Sequence, residues 1–312
     1  MVNRERGELE IAEKSLKEAG FVMSQLCIAR ASCFDYVARK DGVLVFVKVQ
    51  SDIAGFSSND ANELRLIAES VLGVPLLVSK RTRDRFLEDD TVYSRYNVLA
   101  ITPRTFESVV LNRVNPMIHA GPGGYCVEID AEAIKRRRLE LGLSIGGMAE
   151  MIGTSRRTVY GYERGMAKAS VSATYNLMWT LGIPIAKSIN VFEDIHQQRS
   201  CVFVKALVRS KLLKRIFRKL SRYRVTTVKK APFDFLVVVP EGGMRIVGGI
   251  VNKEEPDLSR RIDEIVSVSE IMRGHPVLIM DERRPLDQVI PCILGEEISK
   301  IRKAEDLIAR AQ

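Results

Sequence analysis

The stretch Leu143–Gly165, LSIGGMAEMIGTSRRTVYGYERG, leaves this chain few local options. Ser144 suits the N-cap of a short helix whose apolar residues Met148, Ala149 and Ile152 recur on one side. Gly153 suits the left-handed residue past its end, because glycine takes a positive φ with no Cβ clash. Ser155 then caps a second helix. From that cap Val159, Tyr162 and Glu163 fall on one side, while Arg156, Arg157, Tyr160 and Arg164 share the other. The spacing predicts two short helices joined by a sharp turn, the second cationic at its start.

In a helix-turn-helix, the first residues of the second helix reach base edges in the major groove. Arginine suits that task because a guanidinium can bond guanine O6 and N7 together, or clamp a phosphate. The candidate contacts to double-stranded DNA are Ser144, Ser155, Arg156, Arg157, Thr158, Tyr160 and Arg164. An antiparallel helix pair with surface arginines would carry the same local pattern, so more of the chain has to be weighed.

Extended to Glu132–Ile185, the segment resembles the Cro/repressor-type helix-turn-helix family over about five helices. AEAIKRRRLELGLS (131–144), the Tyr-Glu-Arg-Gly of residues 162–165 and TLGIP (180–184) carry the resemblance. It implies that Arg138, near the end of the first helix, pairs with Glu163, which closes the recognition helix. Many members have a glutamine where this chain has Ile145. Gly146 and Gly147 lower helix propensity there by about 1 kcal/mol each relative to alanine. The resemblance implies the family fold with an altered readout.

At 312 residues the chain exceeds what one core usually serves, so two or three domains are expected. No apolar run approaches the roughly 18 residues of a membrane span, and MVNRERGELE lacks a signal-peptide core. A cytoplasmic protein is the expectation. Cys27, Cys33, Cys126, Cys201 and Cys292 are scattered, as are His119, His196 and His275, so no disulfide framework, metal cluster or cofactor is signalled. The net charge of +9 is unevenly spread: residues 199–230 hold twelve Lys or Arg and no acid. Leu212, Leu213, Ile216, Phe217 and Leu220 give this segment helical apolar spacing. Its basic face, with Lys211, Lys214, Arg215, Arg218 and Arg222, is either a phosphate-tracking surface or a solvated helix face.

On either side the pattern alternates helix and strand. GELEIAEKSLKEAG reads as a helix ended by Gly20, and CFDYVARKDGVLVFVKV reads as a hairpin turning at Asp41-Gly42. Residues 59–72 read as a helix, and VPLLVS and 97–101 as strands before a helix started by Pro103. The expected domains are an α/β unit at 1–112, a Pro/Gly-rich linker at 113–129 and the helix-turn-helix domain at 130–190. A basic connecting helix at 191–224 and a second α/β unit at 225–312 complete the division. The last unit repeats landmarks of the first. Phe34-Asp35 recurs as Phe233-Asp234, and Gly73-Val74-Pro75 as Gly274-His275-Pro276, which suggests a diverged duplication.

The repeated unit resembles the restriction-endonuclease and Holliday-resolvase fold. Active members, by that resemblance, hold a divalent metal with an aspartate on one hairpin strand and Glu-x-Lys on the next. Asp35 and Lys48 fit the outer positions, but Phe46 stands where the carboxylate is needed, and Val247 and Gly249 replace both residues in the second copy. These are vestigial positions, and no enzyme activity is expected; Asp35 and Lys48 can equally be ordinary charges on an unrelated α/β fold. The whole plan resembles a group of archaeal helix-turn-helix regulators. The expected function is sequence-specific DNA binding in transcription regulation, as a homodimer with no assigned effector. A targeted nuclease or resolvase is the alternative, and an RNA-binding adaptor using the basic helix is another.

Overall fold

The computed structural model describes residues 2–193, 214, 218–220, 223–240, 243–251, 255, 257–280 and 290–309. After α1 (Val2–Glu18) and the short β1 (Val22–Met23), the hairpin of β2 (Tyr36–Lys40) and β3 (Val43–Val49) turns at Asp41 and Gly42. Both turn residues have positive φ, 47° and 84°, the backbone that matches the twist of the flanking strands. α2 (Ser58–Val71), capped by Ser57, then carries the chain over to β4 (Val74–Val78), which lies parallel to β3. Strands buried on both faces read as continuous apolar runs, as VLVFVKV and VPLLV do. Leu16 of α1 and Phe106 of α3 (Pro103–Asn112) pack with Val45, Val47 and Leu76 on one face. Leu64 and Ile67 of α2 join Phe46 and Leu77 on the other.

The sheet does not end with the first α/β unit. Past the antiparallel pair β5 (Arg81–Thr82) and β6 (Arg85–Phe86), β8 (Val98–Ile101) lies parallel to β4, and β7 (Thr91–Arg95) pairs with β8. The segment expected to be a linker, 113–129, instead forms the hairpin β9 (Ile118–Gly121) and β10 (Gly124–Val127). β9 runs parallel to β7, and β10 pairs with β11 (Ala169–Ser170), two residues inside the helical unit. Gly124, at φ 100°, belongs to the hairpin tip. Turn residues thus mark a tight reversal here rather than a tether. Among the described residues this sheet has nine strands, in the order β1-β2-β3-β4-β8-β7-β9-β10-β11.

The helical unit contains α4 (Ala131–Glu140), α5 (Ile145–Met151), α6 (Arg156–Glu163) and α7 (Val171–Leu181) around Ile134, Met148, Ala149, Val159, Leu177 and Leu181. These are four helices, not five, among the described residues of 130–190. Gly182 ends α7 in a left-handed conformation (φ 65°) and Pro184 cannot donate to a further turn, so the chain continues with the bridge Ile129–Ala186.

The second sheet is β12 (Arg224–Thr227), β13 (Phe235–Val238), β14 (Arg245–Val251), β15 (His275–Met280) and β16 (Cys292–Leu294), in that order. Like β1-β2-β3-β4-β8, it has two antiparallel pairings followed by two parallel ones, and α8 (Leu258–Ile271) precedes β15 as α2 precedes β4. Finer details also correspond. Asp35 N donates to Val47 O and Asp234 N to Gly248 O, both at 2.8 Å. Leu72 and Arg273, each just past a helix, have φ of 56° and 53°.

The two α/β halves are not apart in space. Phe34, Phe46, Leu64, Phe233, Leu236 and Ile265 belong to one core. The rings of Phe34 and Phe233 lie 6.4 Å apart. The polar contacts are reciprocal: Glu63 accepts from the backbone N–H groups of Lys229 (2.8 Å) and Lys230 (2.7 Å), and Glu264 accepts from those of Ile28 and Ala29, both at 2.8 Å.

Candidate nucleic-acid interface

Each helix of the Leu143–Gly165 stretch begins with its serine. Ser144 Oγ accepts from Gly147 N (2.9 Å) and Ser155 Oγ from Thr158 N (3.1 Å), filling orphan donors of the first turns. Ser155 Oγ also lies 2.8 Å from Thr158 Oγ1, so this pair is knit into the cap. Gly153, at φ 70°, makes the turn between α5 and α6.

The pairing implied for Arg138 and Glu163 is present and buried. Arg138 Nε and Nη2 donate to the two carboxylate oxygens of Glu163, the second at 3.0 Å, while Nη1 donates to Leu143 O (2.7 Å). Both residues are about 7% exposed. The hydrogen bonds to Glu163 raise the arginine's pKa against the opposing effect of burial. This fork ties the end of α4 and the α4–α5 turn to the end of α6, which fixes the angle at which α6 is presented.

The outward face of α6 consists of the exposed Arg156, Arg157, Tyr160 and Arg164, with Thr158 half-buried. Arg164 lies over the Tyr160 ring, 5.0 Å from guanidinium carbon to centroid. At the other end, Arg156 lies against α5: a Cβ built on Gly146 would stand 2.9 Å from Arg156 Nε and 3.2 Å from Cζ and Nη2. The sequence marks Gly146 as a poor helix former. In the structure its missing side chain is the space in which the Arg156 guanidinium rests. Outside α6, the exposed Tyr175 and Trp179 stack at 6.5 Å on α7. Their i,i+4 spacing was available in the sequence as a signal.

Of the basic-face residues, Lys214 and Arg218 are exposed; Lys211, Arg215 and Arg222 lie outside the described residues.

Asp35 and Lys48 pair in the first half. Lys48 Nζ donates to Asp35 Oδ1 (2.8 Å) and to Ser32 O (3.1 Å), and Val49 N donates to Asp35 Oδ2 (2.6 Å). Phe46 is fully buried edge-on to Phe34 at 5.4 Å. In the second half, a Cβ on Gly249 would meet Ile265 and Leu278 at 2.7 and 2.9 Å, so no lysine fits. Arg261 takes its place, donating to Asp234 and, at 2.6 Å, to Glu255 Oε2; Arg30 of the first half bonds the same two carboxylates at 2.9 Å each. At Asp35 one oxygen is held by Lys48 and the other by the Val49 N–H, and at Asp234 and Glu255 two arginines and the Ile250 N–H hold the oxygens. Among the described residues, no three His, Cys, Asp or Glu side chains are grouped to hold a metal.

Residues 7–116 match the family model of the PD-(D/E)XK superfamily domain, and residues 134–186 match that of the helix-turn-helix. The chain is 31% identical over 282 residues to a protein of Methanocaldococcus jannaschii, covering 89% of this chain and 87% of that one. It is 30% identical over 301 residues to a protein of Methanococcoides burtonii (94% and 92%) and 29% identical over 301 residues to one of Pyrococcus furiosus (96% and 94%). All three are provisionally named HTH-type transcriptional regulatory proteins. No solved structure matches the chain.

Proposed function

The chain belongs to the family of archaeal helix-turn-helix-type transcriptional regulatory proteins, and from that premise we propose that it reads DNA sequence in the major groove through α6. The observation that carries this reading is the exposed Arg156–Arg157 pair at the start of a helix whose far end is locked by Arg138 and Glu163. The helix N-terminus adds partial positive charge there. Selection of bound fragments from random duplex DNA tests it. One enriched motif is expected, and Arg156→Ala, Arg157→Ala should weaken that site by about 1 to 3 kcal/mol per lost bidentate contact while relaxing preference at the matching base pair. Unchanged specificity in the double variant would sink the assignment of α6.

One reader per chain favours a homodimer on a pseudo-palindrome, because a two-fold axis doubles the specific contacts. A second copy would cover Val171, Tyr175 and Trp179, an exposed apolar stripe at i, i+4 and i+8 on α7. Sedimentation of the complex checks this: Trp179→Ser should shift the mass towards one chain per half-site. A monomeric wild-type complex on a site without dyad symmetry would exclude the dimer.

The α/β halves descend, in this reading, from a duplicated nuclease-like unit that has lost hydrolysis and serves as a scaffold. Their matching strand order and hydrogen bonds support the duplication. The ion-paired Asp35 and buried Phe46 support the loss of activity. No incision of linear, nicked or branched DNA is expected with magnesium or manganese. Cutting that disappears in Asp35→Ala would restore the nuclease alternative. The expected place of action is the cytoplasm, with the DNA; among the described residues no helix is long and apolar enough to cross a membrane.

A further inference from the structure

Three guanidinium groups gather where α2 and α8 end, at the junction of the two α/β halves. Arg39 of β2 donates from Nε to Ile271 O (2.6 Å). Arg245, which opens β14, donates from Nη1 to Met272 O (2.7 Å) and from Nη2 to Val71 O (3.2 Å). Arg273 follows Met272 directly and is exposed. Two guanidiniums are therefore held side by side on neighbouring carbonyls, with a third at the open edge.

Helix ends account for part of this arrangement. A helix C-terminus carries about −0.5 charge, so the two together offer about −1 against three full positive charges. About +2 is left over. Among the described residues none of the three arginines forms an ion pair, and Arg39 Nη2 is buried with no hydrogen-bond partner. Burial, followed by the neighbouring arginines, holds Arg39 and Arg245 below the ordinary arginine pKa, with no carboxylate acting in the other direction. Buried donors in native proteins are nearly always satisfied, and an ion is one of the usual reasons for an apparent orphan.

We infer that Arg39, Arg245 and Arg273 form a binding site for a phosphate-class dianion across the two α/β halves. The charge matches, since a phosphate monoester carries about −1.5 to −2 at pH 7. Planar forks also suit tetrahedral oxyanions, which accept paired N–H bonds. Arg39 comes from one half and Arg245 and Arg273 from the other, so a bound anion bridges them. The charge could be supplied by a free solute as one dianionic phosphate or by the DNA backbone as two neighbouring phosphodiesters of one charge each, and neither source depends on α6.

The test is thermal unfolding of the full chain in inorganic phosphate against chloride at matched ionic strength, paired with affinity for random-sequence duplex DNA. Phosphate should raise the wild-type midpoint. Arg273→Gln should weaken phosphate binding about tenfold or more while melting like the wild type in chloride, because among the described residues its side chain makes no hydrogen bond. Arg39→Gln should behave likewise, with a lower chloride midpoint. If DNA supplies the phosphate, both variants also lose affinity equally on every sequence, and phosphate competes; if a free solute does, DNA affinity is unchanged. A wild-type midpoint insensitive to phosphate, together with unaltered DNA affinity in Arg273→Gln, overturns the site. So does a phosphate shift that persists undiminished in both variants.

Discussion

Gly146→Ala should stabilise the helical unit and weaken DNA recognition at the same time. The stabilising part comes from the backbone: Gly146 lies in α5 without a positive φ, so alanine adopts the same conformation, and Gly→Ala at such sites contributes about 0.4 to 1 kcal/mol. The first helical turn places the gain near the lower figure. The weakening comes from space, because the new methyl would stand 2.9 Å from Arg156 Nε, where ordinary contact needs roughly 3.5 to 4.0 Å. The guanidinium must move by about 0.6 to 1.1 Å, enough to disturb a bidentate contact whose full loss costs about 1 to 3 kcal/mol. A partial loss near 1 kcal/mol, or about fivefold in Kd, is expected on the preferred site and less on random DNA. Denaturant unfolding measures the first effect and fluorescence anisotropy the second. The decisive measurement is the cycle with Arg156→Ala. If Gly146 acts through Arg156, adding Gly146→Ala to the arginine-less protein changes Kd by nothing further. An equal loss in both backgrounds would refute the reasoning.

The remaining predictions concern stability and charge. Arg138→Ala should destabilise the helical unit by about 3 to 5 kcal/mol in denaturant unfolding, because it leaves Glu163 buried without its partner. Lys214→Ala and Arg218→Ala should leave base preference intact and each lower the salt slope of DNA binding by about 0.9; an unchanged slope would assign that face to another role. The hydrogen bond from Lys168 holds Glu128 below its ordinary pKa of 4.5. A depressed carboxyl contributes stability above its unfolded-state value and loses it as pH falls through the folded-state value. Acid titration of Glu128→Gln should therefore differ from the wild type above pH 4.5 and converge with it below, by about 0.5 kcal/mol at most, since this pair is half exposed.

The helix-turn-helix was legible because its signals are local. Ser144, Gly153 and Ser155 punctuate the chain within a dozen residues, and each does the one task its chemistry favours. The β2–β3 hairpin was legible for the same reason. By contrast, the hairpin β9–β10 was hidden because proline and glycine mark a tether and a tight reversal alike, and its partners, Thr91–Val92 and Ala169–Ser170, are remote in sequence. The fusion of the two α/β halves into one core was hidden too. Glu63 and Glu264 look like solvated helix charges until Lys229–Lys230 and Ile28–Ala29 are brought to them. The second role of Gly146 was hidden because propensity describes the helix alone, whereas the space it leaves is taken by a side chain of another helix.

On the proposed reading, in which hydrolysis has been lost, the aspartates of the two hairpins keep a task in the fold itself. Asp35 Oδ2 accepts from Val49 N and Asp234 Oδ2 from Ile250 N, each at 2.6 Å, so both carboxylates hold the backbone of the next strand in place. That bond requires an acceptor and is strengthened by charge, which makes asparagine an imperfect substitute even where nothing is hydrolysed. A buried carboxylate also requires a counter-charge. Lys48 supplies it at Asp35, while Arg261 and Arg30 supply it at Asp234, by different routes and from different elements. Two unlike solutions to one electrostatic requirement are what a structural role demands, since any well-placed cation will serve. A catalytic role at either site would be more exacting, because water activation depends on where the carboxylates, the lysine and a metal stand relative to one scissile bond.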